Sequence, residues 1–180
     1  MSHNAKPGLE VTDPDAYKGK LYDLLGDRDP LDVLTDTPGE LSRTVSETPA
    51  DLMKKRPFEG KWTPNEIIGH LTDVEWTFGF RMRLILCEEW PTIVGMDQNL
   101  WVSGQRHNAR GSRSLVEMFS GLRLFNLGIW RRIGVDDMKR TGNHSERGAE
   151  SLETMLRMNA GHDLSHLGQI RRFLDACRAG

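Results

Sequence analysis

Apolar residues recur every three or four positions along four stretches of the chain, a period that predicts amphipathic α-helices. A shorter helix is expected near the N-terminus, over residues 15–25, and no segment shows sustained strand alternation. The pattern therefore predicts an all-α protein, a four-helix bundle with a short extra N-terminal helix. The four main helices are predicted over residues 31–47, 64–88, 114–133 and 151–176, with a loop over residues 135–150.

A repeated Thr-Pro-x-acid pattern marks helix starts. The threonine can accept from free amides of the first turn, proline is tolerated at the first position, and the acid can reach back to the cap. The three copies predict helix starts at residues 38, 49 and 64, with the first helix extending upstream to Pro30 and kinked at Pro38. Ser114 and Glu117 form a similar capping box. The polar segment 89–113 is long for a small helical domain and is expected either to be functional or to cross over the bundle.

The apolar stripe of the last predicted helix contains polar side chains at its middle. His162 and His166 are one helical turn apart and project from the same face, next to Asn159. Imidazoles are costly in an apolar seam unless their nitrogens are satisfied, and one bound metal ion could satisfy both. Two core histidines bonded to backbone or water, or an exposed pair, are the alternatives.

His70 lies on the apolar stripe of the second main helix, so a third imidazole is expected to face the core. A core histidine satisfied by Asp73 or Glu66 is the simpler alternative. If His70 joins the pair, three nitrogen ligands with an open position describe a catalytic metal site, because structural zinc sites are normally closed by four ligands. The side chains expected to orient these ligands are Asp73, Asn159, Asp163 and Gln169. Di-iron carboxylate chemistry is disfavoured because the chain has no Glu-x-x-His spacing.

Three other positions favour structural roles on sequence grounds. His144 is expected to face solvent in its loop rather than line a pocket. His107, with Arg106 and Arg110, is expected in a solvated loop rather than at an anion site. Asp97 favours a capping or turn role.

Composition restricts the classes of partner. The chain of 180 residues has 24 basic and 26 acidic residues, which gives no general attraction to nucleic acid or anionic membranes. Cys87 and Cys177 match no zinc or redox spacing, and no apolar run approaches the length that spans a bilayer. We therefore expect a cytoplasmic protein with a flexible tail over residues 1–14, no signal peptide, and a single domain over residues 15–180.

The chain resembles the DinB/YfiT-like family of four-helix-bundle metalloproteins. The matching segments are KWTPNEIIGHLTDVE from Lys61, GMDQNLW from Gly95, TGNHSERG from Thr141 and GHDLSHLGQIR from Gly161. The family's three metal-binding histidines fall on His70, His162 and His166. Members often carry another histidine where this chain has Ser165, a position that points elsewhere on the helix.

The resemblance implies an up-up-down-down bundle, one divalent ion and frequently a homodimer. Zinc or nickel is the expected metal, with manganese or iron possible. Relatives include hydrolases and thiol-dependent transferases and isomerases, so we expect a metal-dependent enzyme that activates water or a low-molecular-weight thiol toward a small substrate. A non-catalytic metal-binding or stress-response interaction protein is the alternative, and nucleic-acid binding is disfavoured by the charge.

Overall fold

A computed structural model of the protein describes residues 13–179. The seven α-helices are α1 (Pro14–Leu25), α2 (Pro30–Glu47), α3 (Ala50–Lys54), α4 (Pro64–Cys87), α5 (Gln98–Gly104), α6 (Ser112–Trp130) and α7 (Leu152–Ala179). Three short strands accompany them, β1 (Thr92–Ile93), β2 (Thr141–His144) and β3 (Gly148–Ser151). Most of the predicted flexible tail lies outside the described residues, and α1 already begins at Pro14.

The four long helices form the predicted bundle, in which α2 and α4 each pack against both α6 and α7. One apolar cluster joins the start of α2 and α7 to the end of α4 and α6, and a second cluster joins their opposite ends. Two helices therefore run in each direction, in the order up-down-down-up along the chain, where the resemblance implies up-up-down-down. The second and third long helices, α4 and α6, are neighbours that run in the same direction. The segment between them must therefore return along the length of the bundle, which is one of the two roles expected for it.

The cap predicted at Thr63 is confirmed. Its hydroxyl accepts from Glu66 N at 3.1 Å, and the Glu66 carboxylate accepts from Thr63 N at 2.8 Å. This reciprocal capping box fixes the start of α4 at Pro64, six residues before His70.

The predicted extension of the first main helix upstream to Pro30 is confirmed, whereas the other predicted caps need correction. Helix α2 begins at Pro30, where the Asp29 side chain caps it, and Thr37 lies inside the helix with its hydroxyl on Val33 O. The earlier cap prevails because the apolar stripe continues unbroken through Pro38. Helix α3 begins at Ala50 without a side-chain cap, so the predicted cap at Thr48 is not formed. Helix α6 begins at Ser112, also without a side-chain cap, so the predicted box at Ser114 is not formed.

A small sheet replaces the predicted loop over residues 135–150. Strand β1 pairs in parallel with β2, and β2 pairs antiparallel with β3. These strands are two to four residues long, too short for alternation of apolar and polar residues to reveal them. The sheet ties the crossing segment to the loop before α7.

Helix α1 lies against α7, where Gly161 allows a close approach of the two backbones. A Cβ at Gly161 would collide with the backbone carbonyl of Leu21, so only glycine permits this contact. Over the described residues, no helix combines the length and apolar character required to cross a bilayer.

Candidate metal centre

The structure brings His70, His162 and His166 together inside the bundle. His70 comes from the second turn of α4, and the other two come from successive turns of α7, which runs antiparallel beside it. All three are buried, with exposed fractions of 1%, 6% and 8%. Their placement follows from the stripes on which the sequence puts them, because both stripes face the same core.

The Nε2 atoms of the three rings converge on one point. His162 Nε2 lies 3.1 Å from His70 Nε2 and 3.1 Å from His166 Nε2. Three nitrogens that each bind one ion at about 2.1 Å in tetrahedral geometry lie about 3.4 Å apart, close to these separations. Among the described residues, these histidines form the one group of potential ligands with all its atoms mutually within 4.8 Å.

Gln169 determines which nitrogen of His166 carries the proton. His166 Nδ1 lies 2.8 Å from Gln169 Oε1, an acceptor, so Nδ1 donates its proton and Nε2 is left with a free lone pair. Of the four residues expected to orient the histidines, Gln169 makes this contact. The lone pair of His166 Nε2 therefore points at the other two rings.

Burial keeps the three imidazoles neutral. It is the main cause that lowers the pKa of His70 and of His162 well below 6.5, and the neighbouring rings lower both further. Burial also lowers the pKa of His166 to about 4, although the bond to Gln169 opposes this shift. A metal ion binds the unprotonated imidazole, so neutral rings favour metal binding at neutral pH.

Trp62 flanks the cluster on one side. Its ring centroid is 4.8 Å from that of His70 and 6.5 Å from that of His166, with the latter pair stacked. Sequence analysis assigns the tryptophans to core or interface packing, so this role was not predicted. The position of Trp62 just before the Thr63 cap was the available signal, because that cap places it beside the first turns of α4.

The buried carboxylate next to His162 belongs to a separate ionic network. Arg123, 1% exposed, lies with Nη1 2.7 Å from Asp163 Oδ2 and with Nη2 2.8 Å from Glu75 Oε2. Asn159 donates to Glu75 at 3.4 Å rather than to a histidine. The expectation that Asp163 and Asn159 orient the histidines is therefore corrected: both bind partners in this network.

The network joins all four bundle helices. Arg123 Nη1 also donates to Leu34 O of α2, and Asn126 of α6 donates to the Glu75 carboxylate at 2.8 Å. Burial alone would lower the pKa of Arg123, but Asp163 and Glu75 outweigh it and hold that pKa above its ordinary value. The roles of Arg123 and Glu75 were not predicted from the sequence; the available signal was a charged residue between Phe119 and Leu127 on an apolar face.

Asp73 holds the crossing segment rather than the metal cluster. Its Oδ2 lies 2.8 Å from His107 Nε2, and its Oδ1 accepts from Gln105 at 2.7 Å. His107 is buried, so its prediction as a solvated loop residue is wrong. Gly69 makes this possible, because a Cβ at that position would collide with the His107 ring. Asp73 and Glu66 are thus both engaged elsewhere, and neither satisfies His70.

Two further expectations concern the crossing segment and the sheet. The Asp97 side chain accepts from Asn99 N and Leu100 N, which confirms the predicted capping role, here for α5. His144 is 1% exposed within β2, so the prediction of a solvent-facing loop residue is wrong. Pairing of β2 with β1 and β3 buries this side chain, an arrangement invisible in the local sequence.

The histidine cluster fits a metal ion by its chemistry. Imidazole nitrogens bind zinc, nickel, iron and copper well. His70 Nδ1 and His162 Nδ1 are buried and have no protein partner among residues 13–179, so no bond there prevents Nδ1 from carrying the ring proton, which leaves the lone pair on Nε2. The three Nε2 atoms can therefore all present lone pairs to one cation.

Comparison with known proteins identifies the family. A family model of the DinB superfamily matches residues 34–170, and the chain belongs to that superfamily. A provisionally named metal-dependent hydrolase of Oceanobacillus iheyensis is 27% identical over 140 residues, which cover 78% of this chain and 81% of the relative. A similarly named protein of Bacillus cereus is 24% identical over 137 residues, covering 76% and 79%.

Solved structures share the fold. YfiT from Bacillus subtilis, provisionally described as a metal-dependent hydrolase with an unusual four-helix bundle topology, has a TM-score of 0.72 and 18% identity, covering 96% of this chain and 91% of its own. A mycothiol-dependent maleylpyruvate isomerase has a TM-score of 0.63 and 16% identity, covering 83% of this chain and 62% of its own. These likenesses establish the four-helix bundle predicted from the sequence.

Proposed function

We propose that this DinB-superfamily chain binds one divalent metal ion through His70, His162 and His166 and acts as a metal-dependent enzyme. The observation that carries the proposal is the convergence of three buried Nε2 atoms, with His162 3.1 Å from each neighbour. The names of the curated relatives, metal-dependent hydrolases, point the same way.

The donor set favours zinc or nickel, with manganese or iron as weaker fits. An ion held by three protein ligands supplies Lewis-acid activation of water or a thiol at its open position. Gln169 holds the His166 ring in the metal-binding tautomer, and Trp62 shields one side of the cluster from water. Asp73, Asn159 and Asp163 support the helices that carry the ligands rather than the ligands themselves.

The metal assignment is tested by elemental analysis of the protein purified without chelator. We expect about one divalent ion per chain in the wild type and a loss of most of it in His70→Ala and in His166→Ala, because two remaining imidazoles bind far more weakly. A full stoichiometric metal content in both variants would contradict the site.

Two reaction classes are compatible with the site. Hydrolysis is supported by the names of the relatives. Thiol transfer or thiol-dependent isomerisation is supported by the mycothiol-dependent structural neighbour, since thiolates are good zinc ligands. We favour hydrolysis because the relatives named as hydrolases match at the sequence level as well.

A panel of small esters and amides, assayed with and without a low-molecular-weight thiol, separates these classes. Metal-dependent turnover without thiol supports a hydrolase, whereas turnover that requires the thiol supports a transferase. A protein that loses stability on chelation but turns over nothing in either arm would instead be a non-catalytic metal-binding or stress-response interaction protein.

An exposed apolar face supports the proposed homodimer. Trp76 and Phe80 of α4 stack with centroids 6.0 Å apart and are each more than half exposed. Leu100 of α5 and Met118 of α6 are also exposed and line one cavity together with Trp76. Contiguous apolar patches of this kind mark protein interfaces. Sedimentation of the wild type and of Phe80→Ser tests the dimer; a wild-type monomer at micromolar concentration would contradict it.

We also propose that residues 15–180 form a single domain in a cytoplasmic protein that binds no nucleic acid. The family match over residues 34–170 and the near balance of 24 basic and 26 acidic residues support these assignments. Absence of a salt-dependent shift of duplex DNA in a gel-mobility assay is the expected result.

A further inference from the structure

Arg81 is a buried arginine that makes no ion pair in the described part of the chain. It is 5% exposed in α4, and its Nη2 donates to Val94 O at 2.7 Å. Its guanidinium also lies 5.7 Å from the Phe78 ring centroid. In the part of the chain that the structure describes, no carboxylate oxygen pairs with Arg81 within 4.0 Å, and its buried Nε–H has no acceptor. A buried charge left in this state is costly, so a partner is expected.

His144 lies beside this arginine. It pairs with Ile93 across β1 and β2, and the next residue, Val94, is the one that Arg81 binds. His144 Nδ1 accepts from Glu146 N at 3.2 Å, so the proton of the neutral ring is on Nε2, which is buried without a partner among residues 13–179. Burial, then Arg147 and Arg81, lowers the pKa of His144 to about 4, so the ring is neutral at pH 7.

The acidic side chains nearby are engaged elsewhere or solvated. Both oxygens of Glu150 accept from Arg147, each at 2.9 Å. Glu146 is exposed, with its carboxylate packed over Gly95. Arg147 and Glu150 thus neutralise each other at close range, whereas solvent screens the longer-range attraction of Glu146 for Arg81.

We propose that Arg81 and His144 form a binding site for a small oxyanion, the carboxylate or phosphate group of a small-molecule ligand. Two buried N–H donors lack acceptors here, and one belongs to a positive charge. Water could accept from both donors, but it could not neutralise the guanidinium. Carboxylate and phosphate oxygens do both, and the planar guanidinium matches them in geometry.

The site is distinct from the histidine cluster. Arg81 follows His70 by three turns of α4, a rise of about 16 Å along the helix axis. An anion bound at Arg81 can therefore be distinguished from one that binds a metal ion at the histidines.

Calorimetric titration of the full-length protein tests the proposal. Inorganic phosphate and acetate are titrated separately at constant ionic strength in sodium chloride, into chelator-treated protein and into protein loaded with zinc. We expect saturable binding of at least one anion with one site per chain in both preparations, and the preferred anion distinguishes a phosphate ligand from a carboxylate ligand.

The variants are Arg81→Met, Arg81→Lys and His144→Leu, with Arg83→Met as the matched control. Arg83 is on the same helix but binds Gly79 O and Asn126 on another face. Arg81→Met should weaken binding at least about tenfold, the size of one charge-assisted contact. Arg81→Lys, which keeps the charge, and His144→Leu should each weaken it less, and Arg83→Met should leave it unchanged.

Several results would overturn the site. One is the absence of saturable binding of either anion in the wild type. Another is unchanged affinity in Arg81→Met and Arg81→Lys, which would indicate an adventitious ion only. A third is binding that occurs in the zinc-loaded protein alone and is lost in His70→Ala, which would place the anion on the metal.

Discussion

Two buried polar clusters lie side by side in the middle of the bundle, and they differ in how their charges and lone pairs are matched. In the Arg123 network, one guanidinium is matched by the carboxylates of Asp163 and Glu75, at 2.7 and 2.8 Å. In the histidine cluster, three Nε2 atoms face one another, and His162 Nε2 lies 3.1 Å from the Nε2 of each of the other two histidines.

The difference separates a structural role from a binding role. The protein itself supplies both signs of charge in the Arg123 network, so the ion pairs form without a ligand and link four helices. The histidine cluster supplies acceptors, and a cation from solution would complete it. Burial of polar groups alone therefore does not identify a functional site. The histidine cluster is the candidate because its buried acceptors have no cation from the protein to bind.

The largest effect on stability should come from breaking the matched cluster. Arg123→Met leaves Glu75 and Asp163 buried without their cation, and we expect the free energy of unfolding to fall by about 3–5 kcal/mol. Urea denaturation of the chelator-treated protein measures this. The control is Arg131→Met, which replaces the exposed arginine just after the end of the same helix, and it should change stability by less than about 0.5 kcal/mol. If Arg123→Met changed the free energy of unfolding only slightly, the Arg123 network would not have the structural role assigned to it.

Removing the central ligand should abolish the response to metal. Zinc at a thousandfold excess over its dissociation constant should stabilise the wild type by about 4 kcal/mol. His162→Ala should lose this stabilisation, because His162 Nε2 lies 3.1 Å from the Nε2 atoms of both His70 and His166. Thermal unfolding with and without zinc measures the increment. His144→Gln, a histidine outside the cluster, should keep it; equal increments in wild type and His162→Ala would refute the assignment.

The metal-free protein should lose stability as the pH falls from about 6.5 to 4. The pKa of His166 is about 4 in the folded state and near 6.5 when unfolded, so the unfolded chain binds more protons in this window. The lowered pKa values of His70 and His162 act in the same direction. The loss attributed to His166 is of the order of 3 kcal/mol. Denaturation at stepped pH should show a flatter profile for His166→Gln; an unchanged profile would exclude His166 as a cause.

Gln169→Leu should weaken metal binding without removing it. The variant loses the acceptor that holds the Nδ1 proton of His166, so the metal-binding tautomer is no longer enforced. Loss of such supporting contacts typically costs about 10–100-fold in metal affinity. Competition with a chromophoric zinc chelator measures it, and Gln169→Glu, which retains an acceptor, should restore most of the affinity. Equal affinity in Gln169→Leu and the wild type would contradict the role.

The helices and the histidine stripe were predictable because both depend on local periodicity. A 3.6-residue period places His162 and His166 on one face of α7 and His70 on the core face of α4, whatever the remaining packing. The Thr63 capping box was equally predictable from the sequence, since it joins residues that are three positions apart. Cap signals failed at Thr37 and Ser114, where the continuing helix outweighed a local start.

Contacts between distant residues could not be read in this way. Asp73, three residues after His70, was a plausible partner for it, but the crossing segment places His107 against Asp73. His144 was expected in solvent because a strand of four residues carries no period of its own. Trp62, Arg123 and Glu75 gained their roles from neighbours on other helices.

The sequence by itself determined the all-α bundle and which three imidazoles face its core, because helical period and hydrophobic burial act over a few residues. Tertiary structure alone decided the direction of each helix, the 3.1 Å convergence of the Nε2 atoms and the partner of every buried carboxylate. The physical reason is that a buried polar group binds whichever complement the packing of remote segments brings within about 3 Å, and that choice leaves no periodic trace along the chain.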